Sequence, residues 1–416
     1  MSEYQSSSTK TDEKISEKDL LARARVLVED LPDRVPKTEV DRRLSQETMA
    51  DLHRLGLLKV FQPRKFGGFE GDWSTHLRIG EILAQGCGST AWIQCVVGLH
   101  AWIAARLPAQ GQADIWNDKA DVLIATAVAG GLGSQLVKVE SGYHLSGRWR
   151  FASGIDHADW VILGAMPDDE EAKREHNLLE LAVPRGEFEI VDTWHTTGLR
   201  GTGSHDVVTS DVFVPKHRTV WRNEMRGGAT EGSKEYAGYI NHVMFSQYFG
   251  SVTLGPILGT AKGAVRAYAR ITRQRFGNMR DEAVRDQIPV QIRLAESAAE
   301  VRAAQGIFDR IMDLLDTAGA AHRSLSKDEW VKMRADGAFV GRLCLSAVER
   351  LIKQMGASGL STDNPVQHYY MNLMGMVAHI SQNWDFNAAP FGAWALGLAT
   401  ENHEINAMES ISDDLF

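Results

Sequence analysis

The chain has 416 residues, of which 44% are hydrophobic and 24% are charged, and its formal net charge at pH 7 is -9. The composition is typical of a soluble globular protein, and the length predicts two or three domains. The negative charge argues against a nucleic-acid partner or an anionic membrane surface, and the three scattered cysteines form neither a disulfide framework nor a zinc site.

The chain begins with a polar stretch, residues 1–15, which predicts a disordered tail and no signal peptide. No apolar run reaches the ~18 residues that a membrane span requires, so we expect a cytoplasmic protein without a membrane partner. Residues 16–120 predict a helical domain. Ser45 gives a partial helix-start signal, and the almost wholly apolar stretch "STAWIQCVVGLHAWIAARL" predicts a buried helix.

The pattern changes at residue 121 to short runs rich in β-branched residues, separated by Gly, Pro and Asp. Residues 121–225 therefore predict a β domain, either a barrel or a sandwich, which ends in a loop rich in glycine and charge. Residues 226–416 predict a C-terminal four-helix bundle, in which Ser326 caps one long helix. The fold class is thus α+β and multidomain. The histidines of the chain lack a carboxylate or thiolate partner set, so we expect no metal site. No "G-x-G-x-x-G" motif follows an early strand, so the sequence predicts no nicotinamide-binding domain.

Eight stretches in order resemble the acyl-CoA dehydrogenase superfamily, in particular its flavin-dependent monooxygenase branch. They are "FGGFEGD", "GSTAW", "VVGLHAW", "LSGRWRFASGIDHADW", "HTTGLRGTGSHDVVTSDVFVP", "RQRFG", "QMGASGL" and "HISQNWDFNAAPFGAWALGL". This branch contains the oxygenase components of two-component aromatic hydroxylases, such as the 4-hydroxyphenylacetate 3-hydroxylases. The resemblance implies an acyl-CoA dehydrogenase-like fold and hydroxylation of a phenolic or indolic small molecule through a C4a-hydroperoxyflavin.

The chain departs from the dehydrogenases of this superfamily at their essential base. Met371 and Asn372 replace the usual Arg-Asp pair, and the position of the catalytic glutamate falls at or beside Ile380, which cannot abstract a proton. An acyl-CoA dehydrogenase-like oxidoreductase acting on an acyl thioester stays open if Asp156 or Asp385 serves as base. A catalytically silent relative that binds a hydrophobic ligand also stays open.

The resemblance implies three catalytic residues, each with an alternative. Ser153 would hydrogen-bond flavin N5 and slow the loss of peroxide, or it only forms a turn. His100 would accept a phenol or N–H proton from the substrate, which enriches the ring for electrophilic attack, and His379 would tune the flavin hydroperoxide. Both histidines are otherwise satisfied packing residues.

The resemblance also implies a set of cofactor-binding residues. Trp149 would pack against the isoalloxazine ring, although a plain core tryptophan explains it nearly as well. Arg200 and Ser204 lie in a glycine-rich loop that would serve a flavin phosphate or only turn the chain. The remaining candidates would reach the flavin nucleotide, often across a subunit interface; they are Arg273, Arg275, Phe276, Lys353, Gly356 and Gly359.

The implied cofactors are diffusible reduced FMN or FAD and O2. Because no nicotinamide site is visible, the resemblance implies a separate NAD(P)H-dependent flavin reductase as a partner. It also implies a homotetramer. The sequence names neither the aromatic substrate nor the choice between FMN and FAD.

Overall fold

The structure of the chain is a computed structural model that describes residues 15–127, 131–175, 177–276, 283–400, 403–412 and 414–415. The predicted polar tail therefore lies outside the described residues, except for Ile15. That side chain is half-buried and packs against the hydrophobic core that the N-terminal and C-terminal helices share.

Within the described residues, six α-helices precede the first strand: α1 (Glu17–Asp41), α2 (Gln46–Arg54), α3 (Trp73–Ala84), α4 (Gly88–Trp92), α5 (His100–Ala104) and α6 (Ala109–Trp116). Ser16 begins α1 with a complete capping box, and the Ser45 side chain accepts the amide of Thr48 at 3.1 Å, so the partial start signal does mark the start of α2. The predicted apolar helix is interrupted by a π-helical segment, Ile93–Val97, between α4 and α5.

In the middle of the chain, the described residues form eight strands and one short α-helix: β1 (Ile124–Ala127), β2 (Leu132–Val139), β3 (Gly142–Ala152), β4 (Trp160–Ala165), α7 (Glu170–Glu175), β5 (Leu179–Pro184), β6 (Glu189–Val191), β7 (His205–Pro215) and β8 (Thr219–Trp221). They form two four-stranded sheets with the orders β1-β4-β5-β8 and β2-β3-β7-β6. β1 and β4 are parallel, and every other described pair is antiparallel. The described strands close no barrel, and side chains from both sheets share one core.

The C-terminal part contains α8 (Arg222–Arg226), α9 (Phe245–Phe249), α10 (Leu254–Gln274), α11 (Ile288–Ala320), α12 (Lys327–Gln354), α13 (Pro365–Val377), α14 (Trp384–Ala395) and α15 (His403–Asn406). Helices α10 to α13 pack on one another, and α14 packs on α12. Ser326 caps α12, as predicted, and Glu329 completes a capping box with it. The predicted loop after β8 instead starts with α8, where Arg222 pairs with the buried Glu180 at 2.5 Å.

One hydrophobic core is continuous through the N-terminal helices and the C-terminal helices. A second core fills the space between the sheets, so the loops at the end of β3 and before β7 lie where the two cores meet. Among the described residues, no helix has the length and the apolar run needed to cross a bilayer.

Candidate functional site

The turn that follows β3 is held in place by hydrogen bonds to distant parts of the chain. Gly154 has a φ of 73°, a left-handed conformation that favours glycine, and its amide donates to the Thr202 carbonyl at 2.8 Å. His157 donates from Nε2 to the Leu44 carbonyl at 3.0 Å. The half-buried Ser153 is therefore presented on a fixed backbone.

The Ser153 hydroxyl belongs to a short chain of hydroxyl groups. Its Oγ lies 2.8 Å from Ser204 Oγ, which lies 2.7 Å from Thr202 Oγ1. The indole N–H of Trp92 also donates to Ser153 Oγ, at 3.3 Å. The structure thus brings the two predicted residues Ser153 and Ser204 together. Trp92 and Thr202 were missed, although both lie in stretches that carry the family resemblance.

His379 joins this cluster through the ring of Trp92. The two ring centroids are 5.7 Å apart in an edge-to-face arrangement, and the Phe249 ring lies 6.4 Å away on another side. The Ser381 amide donates to His379 Nδ1 at 3.2 Å, which leaves the proton of the neutral ring on Nε2. Burial lowers the pKa of His379 to about 4, so the ring is neutral at neutral pH and carries an Nε2–H donor. We call Trp92, Ser153, Thr202, Ser204 and His379 the serine cluster.

His100 lies on α5 and is oriented by β1. Its Nδ1 donates to the Ile124 carbonyl at 2.7 Å, so Nε2 is the acceptor and receives the Thr126 hydroxyl at 2.9 Å. Burial lowers the pKa of His100 to about 4. No described hydrogen bond or ring contact joins His100 to the serine cluster. A ligand that uses its Nε2 must displace Thr126, a residue that the sequence reasoning missed.

Two aromatic residues near the end of β3 have opposite environments. Trp149 is 1% exposed in the core between the sheets, and its indole N–H donates to the Gly164 carbonyl at 2.8 Å. The structure therefore places Trp149 in the core and does not bring it to the serine cluster. The β3–β7 register shifts between Trp149 and Ala152, and Phe151 has a φ of 67°. As a result Phe151 points outward and is 57% exposed.

A cavity of about 400 Å³ lies beside Phe151, and its lining consists of Arg148, Arg150, Phe151, Thr193, Trp194 and Asp206. The Phe151 and Trp194 rings meet edge to face at 6.1 Å, and the Arg150 guanidinium lies 4.5 Å above the Phe151 ring. Phe151 is exposed and Trp194 is half-buried, and the Arg148 guanidinium in this lining pairs with the Asp206 carboxylate at 2.8 Å. A larger groove of about 930 Å³, on α11, α12 and α14, contains none of the predicted site residues.

Arg200 connects the glycine-rich loop to α1. Its Nε donates to the Glu39 carbonyl at 3.0 Å and lies 3.5 Å from the Glu39 carboxylate, and a terminal nitrogen donates to the Thr196 carbonyl at 3.1 Å. Burial raises the pKa of Glu39, and the nearby Arg200 opposes that shift. No described contact joins the guanidinium to the serine cluster, so Arg200 holds the loop in this structure.

The remaining predicted residues form a second group at the end of α10 and α12. Arg275 donates to the Met355 carbonyl at 3.1 Å and to Ser358 Oγ at 3.2 Å, which brings the end of α10 to the turn Gly356–Leu360. Phe276 is 62% exposed. The other members are the exposed Arg273, Lys353 with its Glu349 partner, Gly356 and the buried Gly359. No described hydrogen bond or ion pair joins this group to the serine cluster.

The position of a dehydrogenase base provides no carboxylate. Ile380 is 56% exposed, and the buried Asn372 accepts the Leu199 amide on its side-chain oxygen at 2.7 Å. Asp156 lies 3.4 Å from His205, and Asp385 is exposed on the first turn of α14. Among the described residues, no carboxylate is hydrogen-bonded to a member of the serine cluster.

Two family models match the chain. The "Acyl-CoA dehydrogenase, N-terminal domain" matches residues 16–116, and the "Acyl-CoA dehydrogenase, C-terminal domain" matches residues 252–384. The matched ranges contain Trp92, His100 and His379, whereas Ser153 and Ser204 lie between them.

Individual relatives match nearly the whole chain. It is 33% identical over 375 residues to the FADH(2)-dependent resorcinol hydroxylase, oxygenase component, of Rhizobium sp. (strain MTP-10005), covering 87% of this chain and 90% of the relative. The crystal structure of the 3-HSA hydroxylase from Rhodococcus sp. RHA1 is similar with a TM-score of 0.85 and 26% identity, covering 92% of this chain and 98% of that one. XiaF from Streptomyces sp., in complex with FADH2 and glycerol, is similar with a TM-score of 0.84 and 25% identity, covering 93% of this chain and 97% of that one.

Proposed function

Because the chain belongs to the acyl-CoA dehydrogenase family, within its flavin-dependent oxygenase components, we propose that it hydroxylates an aromatic small molecule with reduced flavin and O2. Relatives named for resorcinol, p-hydroxyphenylacetate and indole-3-acetate support a phenolic or indolic substrate. The observation that carries the proposal is the serine cluster in a chain with Ile380 at the dehydrogenase base position. As an oxygenase component, the chain receives reduced flavin from a separate NAD(P)H-dependent reductase.

The flavin-facing roles belong to the serine cluster and to Phe151 at the end of β3. Bound reduced FMN or FAD supplies the electrons that activate O2. Ser153 holds N5 of the flavin ring through its Oγ, and Ser204 supports Ser153. Phe151, in place of the buried Trp149, offers an exposed ring for packing. His379 provides a neutral N–H donor in a site where burial and the Trp92 ring limit access of water.

His100 has the role of substrate acceptor. A phenol O–H or indole N–H that displaces the Thr126 hydroxyl donates to His100 Nε2. A pKa of about 4 makes this imidazole too weak a base to remove a phenolic proton outright. It therefore polarises the substrate through a hydrogen bond, which enriches the ring in electron density.

The second group has a role between subunits. Arg273, Phe276, Lys353 and Gly356 contact the nucleotide end of a flavin bound by a neighbouring copy in a homotetramer, and the buried Gly359 shapes the turn that carries Gly356. The exposure of Phe276 (62%) and Leu360 (80%) supports an interface there. We also propose that each subunit of this assembly is divided into an N-terminal helical domain (16–120), a β domain (121–225) and a C-terminal helical bundle (226–416). Equilibrium sedimentation that gives a monomer with bound flavin would contradict this role.

The proposed function is tested by mixing the anaerobic complex of protein and reduced flavin with oxygenated buffer and a panel of phenols and indoles. We expect one added oxygen atom in the product, by mass spectrometry, and a delay before oxidised flavin appears. Ser153→Ala is expected to shorten the delay and to lower the ratio of product to flavin oxidised. Immediate reoxidation without product, together with bleaching of oxidised flavin by an acyl thioester, would instead support the dehydrogenase.

A further inference from the structure

The hydroxyl groups of Thr202, Ser204 and Ser153 form a directional chain that starts at a backbone carbonyl. Thr202 Oγ1 lies 2.9 Å from the Leu199 carbonyl oxygen. A carbonyl can only accept, so the single Thr202 hydroxyl proton points to Leu199; otherwise two oxygen lone pairs would face each other in a buried site. The direction of this first bond is therefore determined.

Each following bond takes its direction from the one before. Because the only hydroxyl proton of Thr202 is donated in the hydrogen bond to Leu199, Ser204 must be the donor in its 2.7 Å contact with Thr202. Ser204 then has no proton for its 2.8 Å contact with Ser153, so Ser153 donates to Ser204. The Trp92 indole N–H, which can only donate, forms a hydrogen bond to one lone pair of Ser153 Oγ at 3.3 Å. Ser153 therefore has one lone pair available for a ligand and no proton left to donate to it.

We propose that Thr202 and Ser204 are positioning residues that make Ser153 a pure hydrogen-bond acceptor, so that the site selects a flavin that carries a proton on N5. This inference rests on the proposed function, in which Ser153 faces N5. Reduced flavin carries N5–H and donates to the Ser153 lone pair. Oxidised flavin presents a bare N5 lone pair, which faces the lone pair of Ser153 and is repelled. The chain of hydroxyls thereby favours binding of the reduced flavin delivered by the reductase and release of the oxidised flavin.

The variant that separates this proposal from simple packing is Thr202→Val, because no described contact joins Thr202 to Ser153. Valine keeps the branched shape and removes the hydroxyl. Ser204 then loses its acceptor and turns its proton to Ser153, and Ser153 is free to donate to the ligand. Affinity for oxidised flavin is expected to rise and that for reduced flavin to fall, by about threefold each, so that the ratio of the two dissociation constants changes about tenfold.

The measurement is an equilibrium titration of the full-length protein with oxidised flavin in air and with reduced flavin under anaerobic conditions, followed by flavin fluorescence and absorbance. Thr202→Ser restores the hydroxyl and is expected to restore the wild-type ratio. Thr209→Val is the matched control, because Thr209 is also buried and donates its hydroxyl to a backbone carbonyl (Leu145, 3.2 Å) without contacting Ser204. It is expected to leave the ratio unchanged.

Each outcome has one meaning. If Thr202→Val changes both affinities by the same factor, or neither, the directional chain is wrong although the flavin site stands. If the wild-type protein binds neither redox form, the proposed function itself fails. If Thr202→Val does not fold, Ser204→Ala decides, since it removes the acceptor of the Ser153 proton and is expected to change the ratio in the same direction.

Discussion

Replacing His76 by glutamine should make the free energy of unfolding less dependent on pH. His76 has no exposed surface. Its Nε2 donates to the Cys95 carbonyl at 2.8 Å, and its Nδ1 accepts from the Gln94 side chain at 3.2 Å. Protonation of the ring would place two donors against each other in a buried site. Burial therefore lowers the pKa of His76 from 6.5 to about 4.

The magnitude follows from that difference in pKa. Above 6.5 the histidine is neutral in both the folded and the unfolded chain. Between 6.5 and about 4 only the unfolded chain binds the proton, so the folded state loses stability as the pH falls. The loss is about 1.4 kcal/mol per pH unit and reaches ~3 kcal/mol over the interval.

The assay is urea unfolding of wild type and His76→Gln at a series of pH values, followed by tryptophan fluorescence. Glutamine retains a donor and an acceptor but does not titrate. The free energy of unfolding of the variant should therefore change less steeply with pH over this interval, by the amount that corresponds to about one bound proton. His195→Gln, at a side chain that is 65% exposed, serves as the control for the substitution itself. Equal slopes for His76→Gln and wild type would refute the neutral buried imidazole.

Two further predictions concern the site. Because burial lowers the pKa of both His100 and His379 to about 4, the acid limb of kcat/KM should have its midpoint well below 6.5, and a midpoint near 6.5 would show that one of them is solvated. Gly154→Ala should destabilise the protein by about 1–2 kcal/mol in thermal unfolding, because alanine disfavours the φ of 73° and its Cβ would lie 3.2 Å from Ile93. Gly250→Ala, where a Cβ meets open space, should cost less, and equal costs would count against the strained turn.

Much of the architecture could be predicted from the sequence because it depends on local signals. Helix starts at Ser45 and Ser326 follow from side-chain capping of backbone amides. Near residue 121 the spacing of apolar residues changes from the helical period to the alternation of strands, and β1 begins at Ile124. The sheet pairing was left open, because a barrel and a sandwich share the same alternation along each strand.

The site was harder to predict because its geometry depends on departures from regular structure. Regular alternation would place Trp149 and Phe151 on the same face of β3, yet the register shift between them puts one in the core and the other outside. Ser153 and Ser204 were identified through the resemblance and do lie together. Trp92 was missed because an apolar helix gives no sign of which indole N–H finds a polar partner.

The π-helical segment Ile93–Val97 explains how Trp92 and His100 both reach the β domain. The two residues are eight positions apart, which does not match a whole number of α-helical turns. A π-bulge adds one residue to the helix, so positions eight apart lie as positions seven apart would, two turns along the same face. Trp92 accordingly meets Ser153 after β3, while His100 meets Ile124 and Thr126 on β1. Gly154 fits against Ile93 and Val97, where a Cβ would lie 3.2 Å and 3.3 Å away. The irregular segment between α4 and α5 therefore accounts for the contacts that Trp92 and His100 each make with the β domain.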